Sequence, residues 1–355
     1  MPSKTKHILS ILEKRICHGD YLLKELPAER ELAEEIGVSR VTVRRVMEQL
    51  LERGLLERQS NGRLVVRRTP HQRSLRLALL VPSVLSHDVE LWRLGLEQVA
   101  AEYAAGVRTM LYVHWDDPVI FDAIKVFDGV FLNPNSEPIP VRILDRFKQA
   151  GRSLIVIGQD LTSLGIPSLV MFPPAAVWTL LDKLAELNHK RVDCFNVQTI
   201  DPCIQARIEQ WNLWRASRRM QGELLGKPVQ AYTSPLPQAH RQMLELLDAG
   251  MVKGTALFCT TVPAAMGALR ALRDRGIHVP RDMSVCVVND EGFAPYTYPS
   301  LTSTSLPDLR PYLSLCLEWL SQPDKQWMGS LLVQPKENPL YEGESVGPAP
   351  RGGRT

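Results

Sequence analysis

The stretch LPAERELAEEIGVSRVTVRRVMEQLLERGLL, residues 26–56, holds two helical runs separated only by Gly37-Val38-Ser39. Leu26-Pro27 opens the first run, because proline suits the first turn of a helix. Leu32, Ala33 and Ile36 recur there at helical spacing, and Gly37 supplies a left-handed cap. Ser39 caps the second run by accepting from a free backbone N–H. That run buries Val43, Val46, Met47 and Leu50, at spacings of three and four, and stops at Gly54. Two helices joined by so short a turn form a helix-turn-helix.

The flanks extend the reading. Ile8, Ile11, Leu12 and Ile16 predict an earlier helix over about residues 5–17, stopped by Gly19-Asp20. After Gly54 come two short extended runs, 55–59 and 63–66, joined by Ser60-Asn61-Gly62, a hairpin signal. A helix-turn-helix followed by a hairpin is a winged helix. With Val43, Val46 and Met47 turned inward, Arg40 and Arg44 stand one turn apart on the outer face, with Thr42 and Arg45 beside them. An exposed arginine at the start of such a helix can pair bidentately with guanine or grip a phosphate.

Charge agrees with this. The 355 residues carry a net charge of only +3, but residues 1–76 hold 16 Lys/Arg against 10 Asp/Glu, whereas the remainder holds 26 against 29. A basic end on a mildly acidic body points to an anionic polymer as partner for that end.

Leu26-Pro27-Ala28-Glu29-Arg30-Glu31-Leu32-Ala33 and Gly37-Val38-Ser39-Arg40-Val41-Thr42-Val43-Arg44 together resemble the signature of the GntR family of bacterial transcription factors. The resemblance covers about residues 5–68. It implies that Arg30 reaches DNA from the start of the second helix, that Ser39, Arg40, Thr42 and Arg44 contact DNA from the recognition helix, and that Ser60, Asn61 and Gly62 form the wing tip. Arg45 joins this set from its place on the outer face. Where family wings often read Gly-x-Gly-Thr, this chain has Asn61-Gly62-Arg63-Leu64.

The chain as a whole has the composition of a globular protein, 45% hydrophobic and 23% charged. No run of 18 apolar residues suggests a membrane span, and the start lacks a signal-peptide core, so a cytoplasmic protein is expected. The six cysteines lack any CxxC pairing, which argues for reduced thiols and against a zinc site. GxGxxG, GxSxG, HExxH and a full Walker motif are all missing, so neither an enzyme nor a cofactor is expected. Residues 69–74 read as a linker between a head (1–68) and a body (75–336), and the Pro/Gly-rich 337–355 as a disordered tail.

Within the body, apolar runs at 77–81, 109–113, 129–132, 154–157, 192–195, 256–259 and 284–288 alternate with helical stretches at 89–104, 174–187, 238–249 and 263–275. Such alternation predicts parallel α/β sheets covered by helices, and the length favours two lobes. Three segments carry a second resemblance: Ala265-Met266-Gly267-Ala268-Leu269-Arg270, Val279-Pro280-Arg281-Asp282-Met283-Ser284-Val285 and Pro299-Ser300-Leu301-Thr302-Ser303. They resemble the effector domain of LacI/GalR repressors and the related periplasmic sugar-binding fold.

That resemblance implies two lobes, three chain crossings and a ligand cleft between the lobes. Carried over to this chain, it implies ligand contacts from Arg207, from His87 and Asp88 after the first strand, from Gln159 and Asp160 after Ile157, and from Thr261, Asn289 and Asp290. Three positions depart from the family's pattern. Thr261-Val262 stands where the family has Asn-Asp, Asn289 where it has aspartate, and Phe172 where it has an aspartate near Val170. Trp92, Trp211 and Trp214 are either sugar-stacking or core residues.

The expected function is a homodimeric, DNA-binding transcription regulator, a repressor of carbohydrate-related genes by family default. Its partners would be double-stranded operator DNA and a small-molecule effector, a sugar or derivative. The alternative is a DNA-binding regulator whose pocket is degenerate or takes something other than a sugar.

Overall fold

A computed structural model of the chain describes residues 4–67, 75–84, 86–150, 153–173, 175–230, 233–322, 324 and 326–351. The head consists of α1 (Lys4–Cys17), α2 (Glu29–Ile36), α3 (Arg40–Glu52), β1 (Leu56–Arg58) and β2 (Leu64–Val66). One apolar cluster holds it together, in which Ile8, Leu12 and Ile16 of α1 meet Leu32 of α2 and Val43, Val46, Met47 and Leu50 of α3. These are the positions that the spacing of three and four places on one helix face.

Gly37 ends α2 in the left-handed conformation at φ 70°, and Ser39 caps α3, its Oγ accepting from the Thr42 N–H at 3.2 Å. α2 begins two residues later than Pro27 implies. Ala28 is the cap residue, and its N–H donates to the Glu31 carboxylate at 2.9 Å. β1 and β2 pair antiparallel, Leu56 opposite Val66, and Gly62 turns the wing loop at φ 83°, which a side chain would resist.

From residue 75 onward strands and helices alternate. The first lobe contains β3 (Arg76–Pro82), α4 (His87–Glu102), β4 (Gly106–Tyr112), α5 (Pro118–Val126), β5 (Gly129–Leu132), α6 (Val141–Ala150), β6 (Leu154–Ile157) and β7 (Ser168–Leu169). The second contains α7 (Ala175–Glu186), β8 (Val192–Phe195), α8 (Pro202–Ser217), β9 (Leu224–Leu225), α9 (Pro235–Asp248), β10 (Ala256–Cys259), α10 (Val262–Asp274), β11 (Ser284–Val288) and β12 (Thr302–Thr304). α11 (Arg310–Ser321) and β13 (Leu332–Val333) return to the first lobe, and β14 (Leu340–Tyr341) belongs to the second.

The sheet orders are β13-β7-β6-β5-β3-β4 and β14-β12-β11-β10-β8-β9, parallel throughout except for β14 against β12. The chain therefore crosses between sheets after β7, after β12 and after β13, giving the expected three crossings. Alternate residues of β3 enter different clusters. Leu77, Leu79 and Val81 pack under α4 and α11, while Ala78 and Leu80 pack under α5 and α6. A strand covered on both faces reads as an unbroken apolar run, which is why these strands were visible in the sequence.

Two expectations about boundaries fare differently. The linker expected at 69–74 lies outside the described residues. The expected disordered tail is corrected: residues 337–351 are part of the second lobe. β14 pairs with β12, and Ser345 is wholly buried, its Oγ donating to the Val285 carbonyl at 2.6 Å and accepting from the Thr302 N–H at 2.8 Å. The Gly347 carbonyl accepts from Ser284 Oγ at 3.1 Å and from His189 Nε2 at 3.0 Å. Composition misleads here because the segment is held by single, unrepeated hydrogen bonds to buried groups instead of an apolar stripe.

Truncation after Glu337 should therefore orphan His189, Ser284 and Thr302 in the interior. At about 1 kcal/mol or more for each lost bond, the second lobe should melt several degrees lower in a thermal scan. A truncated chain with an unchanged melting profile would show that the segment contributes nothing.

Candidate DNA-binding face and effector cleft

The predicted DNA-contacting residues lie at the surface of the head. Arg30, Ser39, Arg40, Arg44 and Arg45 are exposed, as are Ser60, Asn61 and Gly62 at the wing tip, and Thr42 is half-buried beside them. Arg30, Glu34, Ser39 and Thr42 line a hollow of about 510 Å³ between the end of α2 and the start of α3. Asn61 shapes the tip, its side-chain oxygen accepting from the Arg63 N–H at 2.9 Å, while Arg58 holds the Gly62 carbonyl at 3.0 Å.

Two residues of this face were not singled out from sequence. Val41 is 64% exposed, next to Arg40, where an apolar side chain can meet a thymine methyl group. Glu29 sets one carboxylate oxygen between two guanidiniums, 3.5 Å from Arg40 Nε and 3.3 Å from Arg44 Nη2. Exposed pairs of this kind are worth about 0–1 kcal/mol, so DNA can replace Glu29 at either arginine. Glu29→Gln removes that internal competitor. We expect binding to random duplex to tighten by about 1.5- to 5-fold, on the same scale, as read by fluorescence anisotropy. Weaker binding would show that Glu29 instead aims the arginines.

The second site lies between the lobes. Ser86 caps α4, its Oγ accepting from the Val89 N–H at 3.4 Å, which sets His87 and Asp88 at the first lobe's edge of the cleft. On the facing lobe Asn289 follows β11 in the left-handed conformation at φ 59°. Its amide Nδ2 donates to Asp88 Oδ1 at 2.8 Å, and the His87 ring lies 4.7 Å from that of Phe293, so both contacts bridge the lobes directly.

Arg207 of α8 is buried. Its Nη1 donates to the Thr260 carbonyl at 2.5 Å, its guanidinium lies 5.7 Å from the Phe172 ring, and its Nε has no hydrogen-bond partner. Thr261 Oγ1 is likewise buried and unpartnered. Unmet buried donors are costly, and these two belong to the second lobe, on α8 and at the cap of α10. Phe172, noted in the sequence as a departure from aspartate, sits on the first crossing and packs against apolar clusters of both lobes.

The acidic groups around Arg207 are perturbed. Burial raises the Asp88 carboxyl above its ordinary value, against the pull of the Asn289 amide and the Arg207 charge. Burial also raises Asp201, the cap of α8. Glu291, which sequence reasoning passed over, is pushed up to about 7 by burial, with the Asp88 charge adding to it.

Other predicted ligand residues have local duties. Asp290 Oδ2 accepts from Ser303 Oγ and Ser305 Oγ, both at 2.7 Å, so it ties β11 to the second crossing. Asp160 is exposed and accepts from the Thr162 N–H at 2.9 Å, and Gln159 is half-buried beside it. Neither arrangement brings these carboxylates to Arg207. The tryptophans are core: Trp92, Trp211 and Trp214 are buried, and the indole N–H groups of Trp211 and Trp214 donate to the Val192 carbonyl and the Asp182 carboxylate.

The raised Glu291 carboxyl has a signed consequence. Between its ordinary value of 4.5 and about 7 the folded state holds this proton more tightly than the unfolded chain does. Stability from this group is therefore complete below about 4.5 and falls as pH rises to about 7. Glu291→Gln should flatten that part of the melting-temperature profile; an unaltered slope would exclude Glu291 as its source.

Residues 4–66 match the model of bacterial regulatory proteins of the gntR family, and residues 181–309 match that of a periplasmic binding protein-like domain. The chain is 31% identical to the HTH-type transcriptional regulator AscG of Escherichia coli strain K12 over 100 residues, 28% of this chain and 30% of that protein. It is 24% identical to the HTH-type transcriptional repressor CytR of the same strain over 305 residues, 85% of this chain and 86% of that one. A LacI family transcriptional regulator from Enterococcus faecium, solved with bound ribose, superposes with a TM-score of 0.63 at 19% identity, over 77% of this chain and 98% of its own. That last likeness is one of fold.

Proposed function

We propose that this chain, a GntR-type winged-helix head joined to a LacI-like two-lobed body, is a bacterial transcription regulator that binds operator DNA as a homodimer. The observation that carries the reading is the exposed arginine row at the start of α3, on a head whose apolar side is fully used for packing. Two heads related by a two-fold axis would meet two half-sites of a palindromic operator. AscG is a transcriptional regulator and CytR a transcriptional repressor, which supports repression as the mode of action and the cytoplasm as the place. Among the described residues no helix is long and apolar enough to cross a membrane.

The body supplies control. A small molecule in the cleft would replace the Asn289–Asp88 bridge and satisfy Arg207 Nε and Thr261 Oγ1, and so change the relation of the lobes. A sugar or sugar derivative suits these donors and acceptors, and the bound ribose of the Enterococcus regulator supports that class. Any effector that weakens DNA binding must itself be bound more weakly by the DNA complex, by the same factor. A second reading is a regulator that works without a sugar. It is favoured by one observation: the lobes already bond to each other where an effector would sit.

Selection of duplexes from a random pool, followed by titration, tests the head. Affinity should fall with salt at a log–log slope near −0.9 per phosphate neutralised; a flat dependence would refute the assignment. Arg44→Ala should cost about 1–3 kcal/mol on the selected duplex and much less on random DNA. Thermal shift with a panel of pentoses, hexoses and nucleosides tests the body. Stabilisation lost in Arg207→Ala supports the cleft, whereas no shift with any member favours the second reading.

A further inference from the structure

The head does not meet the body only through the chain that joins them. The turn after α1 lies on β4, the edge strand of the first lobe's sheet. His18 Nδ1 donates to the Val107 carbonyl at 3.0 Å, and Asp20 pairs with Arg108 at 2.5 Å. Gly106 has no room for a side chain, since a Cβ there would come within 2.2 Å of the Cys17 carbonyl oxygen. Gly19 holds φ 76° so that the chain can turn against Phe127, and Leu22 packs into the cluster formed by α5, α6 and the sheet. An edge strand offers unpaired backbone groups that proteins usually cover; here the DNA-binding head provides part of that cover.

Val107 makes the contact more than a resting place. Its carbonyl takes the His18 bond, while its side chain lies in the cluster with Trp92, Leu96 and Val99 of α4. α4 is the helix whose first turn carries Asp88, the first-lobe half of the bridge across the cleft. A packed core shifts between discrete arrangements instead of deforming smoothly. A displacement of α4 at the cleft therefore reaches Val107, and Val107 is bonded to the head.

We propose that the 17–22 turn is a seat that couples the cleft to the DNA-binding head, through Asp88, α4 and β4. This rests on the reading of the chain as an effector-controlled DNA-binding regulator. It assigns roles to His18, Asp20, Leu22, Gly106 and Arg108 that neither DNA contact nor ligand contact explains. The α3 arginines and the wing tip stay exposed when the head is seated, so the seat sets the head's position without covering its DNA-binding face.

The test uses the full-length protein, small-angle scattering and a duplex selected as above. Gly106→Val should unseat the head and enlarge the maximum dimension in scattering. Arg108→Asp should do the same, and adding Asp20→Arg should restore the compact profile. The restoring pair keeps the test valid if Gly106→Val fails to fold. Coupling is then read from a cycle in which Asn289→Ala removes the cleft bridge. In the seated protein Asn289→Ala should change affinity for the selected duplex by about fivefold or more, and in the Arg108→Asp background it should change it little. An equal effect in both backgrounds would overturn the coupling, and a scattering profile unmoved by either substitution would overturn the seat. If the wild-type protein selects no duplex at all, the regulator reading fails, while scattering still decides the seat.

Discussion

Both sheets of the body are buried on both faces, and most of the architecture follows from that constraint. Parallel strands cannot be joined by tight turns, so most successive strands are joined through an α-helix, and those helices provide the cover; β6–β7 and β11–β12 are joined without one. The sheets are separate, with their own apolar clusters above and below. What remains between them is a gap spanned by three crossings and closed by a few polar contacts.

The polarity of that gap is set by what each carboxylate has as a neighbour. Asp290 accepts from two hydroxyls and a backbone N–H, Asp201 from the start of α8, and Asp88 from the Asn289 amide and the Trp92 side chain. Asn289 suits its position because an amide can donate to Asp88, which a carboxylate at neutral pH could not. The departure from the family's aspartate thus has a local partner: one acidic group of the pair is replaced so that the lobes can touch. Arg207 and Thr261 are left with unmet donors in the same lobe as Asn289.

Much of the fold was legible in the sequence where the physics is repetitive. β5, β6, β8, β10 and β11 match the apolar runs to the residue, because a strand buried on both faces leaves an unbroken signature. The head was legible from caps and spacing, with Gly37 and Ser39 marking the turn. β7, β9, β13 and β14 are two residues long and leave no pattern to find. α8 was hidden for the opposite reason. Ile204, Arg207, Ile208, Trp211 and Trp214 are all buried, so its apolar stripe is interrupted by a buried charge. At the site, the resemblance to the LacI/GalR effector domain pointed to Arg207, His87, Asp88 and Asn289. Their pairing across the gap depends on contacts some 200 positions apart, and Glu29 and Glu291 draw their roles from neighbours that no local spacing reveals.

The interleaving of the chain also bears on how the protein is made. The head closes its core with residues 8–66 and can fold as soon as they leave the ribosome. The first lobe lacks an edge until β13 arrives at 332–333, and the second keeps vacancies around His189 and Val285 until 345–347 are synthesised. During most of translation, then, a head competent to fold is tethered to two unfinished sheets. The seat on β4 would be available before either lobe is complete, since β3, β4 and β5 emerge early and Phe127 lies among them. The order of synthesis thus favours docking of the head first and closure of the cleft last.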